Sequence, residues 1–215
     1  EGLGNQLGIS DSGNGNCSSG YACSATTMDL PFIFTFYGVD YDQIVISTNG
    51  WIALGRSELL SFRNYPIPGP GGPSPMIAGF WDDLTTQSQG RVYKYYDEDS
   101  HQFIVQWSRM RTYDNNSTET FQIILKDPAF YFTPTGDGEI LIQYQTFNNT
   151  STGSYGWGQV HGAYCTIGIE DKTGEKGLQY TFNNNYPVSG RTLGDDMSLF
   201  ITTMSPQSNP FPNLY

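Results

Sequence analysis

Positive charge is scarce in this chain of 215 residues. Ten Lys and Arg stand against 21 Asp and Glu, which gives a formal net charge of −11. Nucleic-acid binding needs clustered Lys and Arg, because the phosphate backbone dominates the affinity, so the composition argues against such a protein. The acidic side chains either keep an extracellular surface solvated or attract divalent cations.

Long apolar runs are also missing. No stretch approaches the roughly 20 apolar residues of a membrane span, and no basic, then apolar, signal segment is present. The chain begins at Glu1 with neither Met nor tag. A mature secreted protein begins in this way after cleavage, so we expect a secreted protein, extracellular or at the cell surface.

Helix-forming residues are scarce, and no stretch of the chain is rich in Ala, Leu, Glu and Lys. The chain contains short alternating runs instead. Apolar and polar residues alternate with period 2, which is typical of antiparallel sheets with one face in a core. The sequence predicts an all-β, antiparallel β-sandwich, jelly-roll-like, of about eleven strands. The predicted strands lie at 30–37, 41–48, 51–54, 76–84, 91–96, 102–108, 121–126, 139–145, 163–170, 177–182 and 198–203.

Turn residues divide the chain further. Asn49-Gly50 predicts a hairpin in which both residues have positive φ, and the prolines of 62–75 predict an extended, ordered loop. We predict a polar N-terminal arm with a Cys pair over 1–28, a β-sandwich domain over 29–204 and a Pro-rich C-terminal arm over 205–215. The arm 1–28 is alternatively a loop layer or a fragment of a preceding module. The predicted core consists of Phe34, Ile44, Ile46, Ile52, Phe80, Phe103, Val105, Trp107, Ile123, Ile142, Ile167 and Leu199.

Cysteine is rare, with three residues in the chain. Cys17 and Cys23 lie in a Gly/Ser-rich loop and either form a small disulfide in an oxidising compartment or remain free thiols. Cys165 alternates with Ile167 on the core face of a strand, so we expect a buried thiol rather than a nucleophile paired with His161.

The pattern N-x-S/T occurs repeatedly in predicted loops. It marks glycan acceptors in a secreted chain, although chance matches are common in a sequence so rich in Asn and Thr. The sites are Asn115, Asn116, Asn148 and Asn149, with Asn16 as a fifth.

Two further residue pairs are candidate binding sites. Asp82 and Asp83 end a strand and are either ligands of a structural calcium ion or solvated turn residues. Trp51 and Trp157 either stack on sugars or anchor the core and loops. No other cofactor is expected.

Several segments carry a family resemblance. LPFIFTFYGVDYDQIVISTNGWIALG (30–55) and PMIAGFWDDL (75–84) resemble the NIDO-type extracellular β domain. TPTGDGEILIQYQ (133–145), YCTIGIEDKTGEKGLQYTFNNNYP (164–187) and LFITT (199–203) are similar to a bacterial version, found in large secreted proteins with gingipain-like peptidase domains and a C-terminal sorting domain. The resemblance covers about 30–203. It implies an extracellular β domain, and it carries over no catalytic residues.

These observations favour a non-catalytic extracellular structural or adhesive protein. One form of this hypothesis is a subunit of a surface filament or matrix that assembles through its terminal arms. The expected partners are further copies of the chain or other extracellular proteins. The alternative is a carbohydrate-binding accessory module of a larger secreted protein. An enzyme is a third reading, and it requires a pocket with converging acids or a histidine.

Overall fold

A computed structural model describes residues 3–15, 24–156 and 158–205 and confirms the all-β class. The strands are β1 (Asn5–Gln6), β2 (Ala25–Phe36), β3 (Val39–Ser47), β4 (Trp51–Leu54), β5 (Met76–Trp81), β6 (Leu84–Thr85), β7 (Arg91–Asp97), β8 (Gln102–Thr112), β9 (Thr118–Lys126), β10 (Ile140–Thr146), β11 (Ser154–Tyr155), β12 (Gly158–Gln159), β13 (Thr166–Glu170), β14 (Gly177–Thr181) and β15 (Met197–Ile201). These ranges contain no helix long and apolar enough to cross a membrane.

Two antiparallel sheets form the predicted sandwich. The seven-stranded sheet has the order β1-β7-β8-β9-β10-β15, with β6 paired to β8. The six-stranded sheet has the order β14-β13-β5-β4-β3-β2, and β11 pairs with β12 separately. Most neighbours in a sheet are consecutive along the chain, although the consecutive strands β4 and β5 are joined by the long segment 55–75.

The eleven predicted strands each correspond to a strand of the structure. The additional strands are β1, β6, β11 and β12, each of two residues. Two residues are too few to display an alternating pattern, which is why the sequence does not reveal them.

The core lies between the two sheets. All predicted core residues are buried except Leu199, which is partly buried and packs against the others. Hydrogen bonds cross between the sheets from Trp107 Nε1 to Ser47 O at 2.8 Å and from the Tyr144 hydroxyl to Gly79 O at 2.7 Å. These bonds satisfy the polar atoms of large aromatic side chains that are otherwise surrounded by apolar groups.

The outer face of the six-stranded sheet carries a second apolar cluster. The loop 55–75 lies over this face, and its Ile67 is buried against the sheet residues Val45, Trp51, Ala53, Met76, Ala78 and Trp81. The Pro-rich segment is therefore an ordered loop, as predicted, and it serves as a cover. We refer to 55–75 as the covering loop.

The predicted β3–β4 hairpin is confirmed, but its turn is longer than expected. Ile46 pairs with Ile52, which leaves Thr48, Asn49 and Gly50 in the turn. Only Gly50 has a positive φ, 77°, so the expectation for Asn49 is wrong. Because the turn has three residues, Asn49 does not need the left-handed conformation that a two-residue turn requires of both its residues.

The described part of the N-terminal arm belongs to the sandwich. β1 pairs with β7, where Asn5 lies opposite Lys94, and Leu7 and Ile9 are buried in the main core. β2 begins at Ala25, within the range assigned to the arm. Residues 206–215 of the predicted C-terminal arm lie outside the described residues.

Candidate binding face

The outer face of the seven-stranded sheet carries two parallel rows of side chains. Strand alternation turns these residues away from the core. The amide row comprises Tyr93, Gln106, Gln122, Gln143 and Ser198, which are successive cross-strand partners from β7 to β15. The apolar row comprises Tyr95, Ile104, Ile124, Leu141 and Phe200, paired across the same strands.

The amide row is uncharged and partly open to solvent. Gln143 and Ser198 are exposed, and Gln106 and Gln122 are half-buried. Gln122 Nε2 donates to Gln106 Oε1 at 3.0 Å, which orients both amides. Neighbouring strands lie about 4.8 Å apart, so the row repeats one side chain at about that spacing.

Three grooves follow this face. The first, of about 380 Å³, is lined by Gln106, Gln122, Gln143 and Ser198, and Asp196 lies at its margin. The second, of about 350 Å³, runs from the same two glutamines, Gln106 and Gln122, to Tyr93 and Tyr95. The third, of about 580 Å³, extends along the strands to Arg109 and Thr146. Because Gln106 and Gln122 line all three grooves, they form one continuous surface.

Two β-bulges shape the third groove. The register of β8 with β9 shifts between Trp107 and Met110, and that of β10 with β9 shifts between Tyr144 and Thr146. Thr120 lies between these bulges, and its hydroxyl accepts from Arg109 N at 3.0 Å. Bulges bend a sheet and redirect side chains, which accounts for the recess at this end of the face.

Asp82 and Asp83 lie elsewhere, buried where the N-terminal arm meets the β3–β4 turn. Asp83 N donates to Asp82 Oδ1 at 2.7 Å, and the Asp83 carboxylate accepts from Asn14 N at 2.9 Å. Asp11 accepts from Asn49 Nδ2 and from the Thr48 hydroxyl. Within the described ranges, no group of three or more His, Cys, Asp and Glu side chains is placed to hold a metal ion, so the predicted calcium ion has no described ligand set.

His161 lies beside Asp82, with 3.7 Å between Nδ1 and Oδ1. The side chains of both residues are fully buried, and His161 Nδ1 also lies 2.6 Å from Asn64 Oδ1. Burial lowers the pKa of His161 and raises that of Asp82 well above its ordinary value. Cys165 is buried as expected from strand alternation, and burial raises its thiol pKa.

The four predicted glycan acceptors differ in accessibility. Asn115, Asn116 and Asn148 are exposed, although Asn115 Nδ2 donates to Thr150 O and Asn148 Nδ2 to Thr118 O. Asn149 is buried, and its Oδ1 accepts from Cys165 N at 2.8 Å. In the folded chain its amide is therefore inaccessible to a glycan.

Of the predicted sugar-stacking residues, Trp51 is fully buried beneath the covering loop, so its ring has no surface to offer a sugar. The prediction that Trp51 stacks on sugars is therefore wrong. Trp51 follows a turn, but strand alternation places it on the sheet face that the loop covers. Trp157, Cys17, Cys23 and Asn16 lie outside the described residues.

Sequence reasoning missed the amide row as a unit. Because Val105 and Trp107 belong to the predicted core, alternation places Gln106 between them on the polar face of its strand, but Gln122 lies in a nearly continuous apolar run. The cross-strand register that aligns Gln106, Gln122 and Gln143 is a tertiary property. Three glutamines at outward positions of consecutive predicted strands are the signal that was available.

Comparison with known proteins confirms the resemblance to the NIDO-type domain. A family model described as NIDO related matches residues 13–205. No curated protein and no solved structure matches the chain.

Proposed function

Because this chain belongs to the NIDO-related family of extracellular-type domains, we propose that it is a non-catalytic adhesive domain that binds its target through the outer face of the seven-stranded sheet. The observation that carries this proposal is the pair of rows, amide and apolar, which run side by side across five strands above connected grooves.

The chemistry of this face favours an extended target without strong charge. Glutamine amides donate and accept hydrogen bonds. In the adjacent row, Tyr95, Ile104, Leu141 and Phe200 offer apolar area, whereas Ile124 between them is buried. Charged side chains line the grooves away from the amide row, with Asp196 in the first, Asp97 in the second and Arg109 in the third, and the amide row itself has none. A partner held by ion pairs would leave this neutral centre unused.

The buried polar residues support a non-catalytic role. General acid–base catalysis needs side chains within hydrogen-bonding reach of a substrate. The His161 and Asp82 side chains have no solvent exposure, and Asp82 serves the local backbone through Asp83 N. Cys165 lacks the exposure and the lowered pKa of a nucleophilic thiol.

The sequence suggested assembly through both terminal arms, but the structure supports this role less for the N-terminal arm. Residues 3–15 contribute β1 and two core side chains to their own domain, and this removes support for their use as a connector between subunits. Assembly through 206–215 stays a proposal.

A second candidate function is carbohydrate binding, either alone or as an accessory module. A saccharide chain has hydroxyl groups along its edges and apolar C–H faces. Gln106, Gln122 and Gln143 match the former, and Tyr95, Ile104 and Leu141 match the latter. The repeat of the rows across the strands suits a linear chain of neutral sugars lying perpendicular to the strands.

The test is binding to immobilised neutral polysaccharides, acidic polysaccharides and extracellular matrix proteins, with Gln143→Ala and the matched control Gln43→Ala. Gln43 is an amide of the six-stranded sheet, where it bonds to Asp29 and Arg56. We expect Gln143→Ala to weaken binding about fivefold, the equivalent of one hydrogen bond of about 1 kcal/mol, and Gln43→Ala to leave it unchanged.

Binding confined to neutral polysaccharides would select the carbohydrate module, and binding confined to matrix proteins would select protein adhesion. If no target is retained, or if both variants bind like the parent, the amide row is not the adhesive surface.

A further inference from the structure

The edges of the two sheets differ in how well they are protected. β2 carries Asp29, Pro31 and a register shift between Asp29 and Phe34. β7 is covered by β1, which is continued by the bond from Leu7 N to Val92 O. Proline, charge, irregular register and covering strands are the usual means of blocking an exposed edge.

β14, at the other end of the six-stranded sheet, is also hindered. Its register with β13 shifts at Gly168, and the covering loop reaches it, where Ile67 N donates to Gln179 Oε1 at 3.0 Å. Pro68 lies against Gly177 at the start of the same strand.

β15 has none of these protections. Its five residues, Met-Ser-Leu-Phe-Ile, contain neither charge nor proline and pair with β10 in unbroken register. Among the described residues, β10 is the only segment whose backbone bonds to Met197–Ile201. Within the part of the chain that the structure describes, no backbone bonds to the outer edge of β15, and Phe200 beside that edge is 51% exposed.

We propose that β15 pairs antiparallel with β15 of a second copy of this chain, which joins two seven-stranded sheets across a twofold axis. With the axis at Leu199, that residue faces its own counterpart, Met197 faces Ile201 and Ser198 faces Phe200. A twofold interface requires such self-complementarity, and this strand provides it without opposing like charges.

The flanking acids select the antiparallel direction. Asp195 and Asp196 precede β15, and Thr202 and Thr203 follow it. In the antiparallel pair each aspartate lies opposite a threonine of the other copy. In a parallel pair the aspartates would lie beside their own counterparts, which is unfavourable.

An apolar groove beside β15 supplies further contact area. It has a volume of about 130 Å³ and lies where the two sheets separate, lined by Phe36, Ile169, Leu178 and Ile201 among others. Leu178 is 64% exposed there. In the proposed dimer, Met197 of the second copy is the cross-strand neighbour of Ile201 and covers this groove.

Sedimentation velocity over a wide range of concentration tests the proposal. We expect a monomer of 23.9 kDa that converts to a dimer as concentration rises. Each copy carries a formal net charge of −11, so raising the salt concentration should favour the dimer by screening repulsion between copies. A chain that stays monomeric at high concentration and high salt overturns the proposal.

Matched variants locate the interface. Phe200→Glu adds a carboxylate at the edge, close to Lys126, whose Nζ lies 4.7 Å from the Phe200 ring centroid. We expect a dimer weakened at least about tenfold, because the substitution removes an exposed apolar side chain from the proposed interface and adds negative charge to copies that already repel each other. Ile33→Glu alters a residue of similar exposure, 53%, on the edge strand β2 and should dimerise like the parent.

Leu199→Cys tests the interface by cross-linking, which does not require a variant that weakens the dimer. The self-opposed cysteines should give a covalent dimer on a non-reducing gel, beyond any seen for the parent chain with its own three cysteines. A dimer that survives Phe200→Glu and gains no cross-link through Leu199→Cys uses another surface and refutes this assignment. Circular dichroism and thermal unfolding establish that each variant is folded.

Discussion

The indole nitrogens of Trp51 and Trp81 donate to the same atom, the backbone carbonyl oxygen of Ser61, at 2.8 and 3.0 Å. Both tryptophans are almost completely buried, and Ser61 belongs to the covering loop. A carbonyl oxygen accepts two hydrogen bonds, so one peptide group of the loop satisfies two buried donors of the sheet. This contact fixes the loop on the sheet.

Trp81→Phe should destabilise the covering loop selectively. The substitution removes one of the two bonds to Ser61 and part of the buried ring, and we expect a loss of about 2 kcal/mol in the free energy of unfolding. Amide hydrogen exchange in 55–75 should accelerate more than exchange in β8 and β9. Trp107→Phe, which alters the core between the sheets, should not accelerate exchange selectively in 55–75. The prediction is contradicted if Trp81→Phe accelerates exchange in 55–75 no more than in β8 and β9.

Gly50→Ala and Gly136→Ala should separate steric clash from backbone strain. Both glycines have nearly the same φ, 77° and 78°. A Cβ at Gly50 would clash with Phe80 O, whereas at Gly136, apart from the two chain neighbours, no atom of the described residues lies within 4 Å of one. Gly136→Ala should cost about 1 kcal/mol, from the left-handed conformation alone. Gly50→Ala should cost more than about 3 kcal/mol or prevent folding. Urea denaturation compares the two, and equal losses would refute the clash.

Stability should depend on the ionisation of Glu119. Burial raises the pKa of this carboxyl group to about 7, although it accepts bonds from the Ser117 hydroxyl and from the backbone N–H groups of Asn148 and Asn149. Because the folded chain binds the proton more tightly than the unfolded chain, the stabilisation is complete below the unfolded pKa of 4.5 and is lost as pH rises through 7.

Glu119→Gln should flatten that dependence. We expect the difference in unfolding free energy between the parent and the variant to change by roughly 3 kcal/mol from acidic to neutral pH. Burial raises the pKa of Asp82 in the same direction, whereas the lowered pKa of His161 opposes it below 6.5. Denaturation measured over a pH series provides the test, and parallel curves for parent and variant would contradict this assignment to Glu119.

Cys165 should react with alkylating reagents only after unfolding. Its side chain is fully buried, and burial raises the thiol pKa, so the reactive thiolate is neither accessible nor populated in the folded state. In a Cys17→Ser, Cys23→Ser background, iodoacetamide labelling followed by mass spectrometry should track the unfolded fraction across a urea titration. Rapid labelling without denaturant would show that the site opens locally.

Local sequence patterns predict the strands well, because period-2 alternation reflects burial of one sheet face. Phe103, Val105 and Trp107 illustrate this, since they alternate along β8 and all lie in the core. Leu7 and Ile9 are buried too, but the two-residue strand before them is too short to show a pattern. Their position depends on β7, which is distant in the chain.

The candidate sites were harder to predict, because side-chain surroundings depend on elements far apart in sequence. Asp83 has the residue type of a calcium ligand, yet its carboxylate accepts a hydrogen bond from the backbone N–H of Asn14. Trp51 follows a turn, yet the covering loop buries it. Gln122 belongs to the amide row because it pairs with Gln106 and Gln143 on neighbouring strands. The cross-strand register that aligns these residues is not visible in any single segment.

The covering loop makes the domain one-sided, and this has a practical consequence for displaying it on a solid support. One broad side of the sandwich is sealed by 55–75, and the opposite side carries the amide row. Leu59, in the loop, is 52% exposed, so a linker attached there points the amide row into solution. A linker at Gln143 turns the same row towards the support. The orientation of the molecule, and not only its density, therefore determines how much target a coated surface captures.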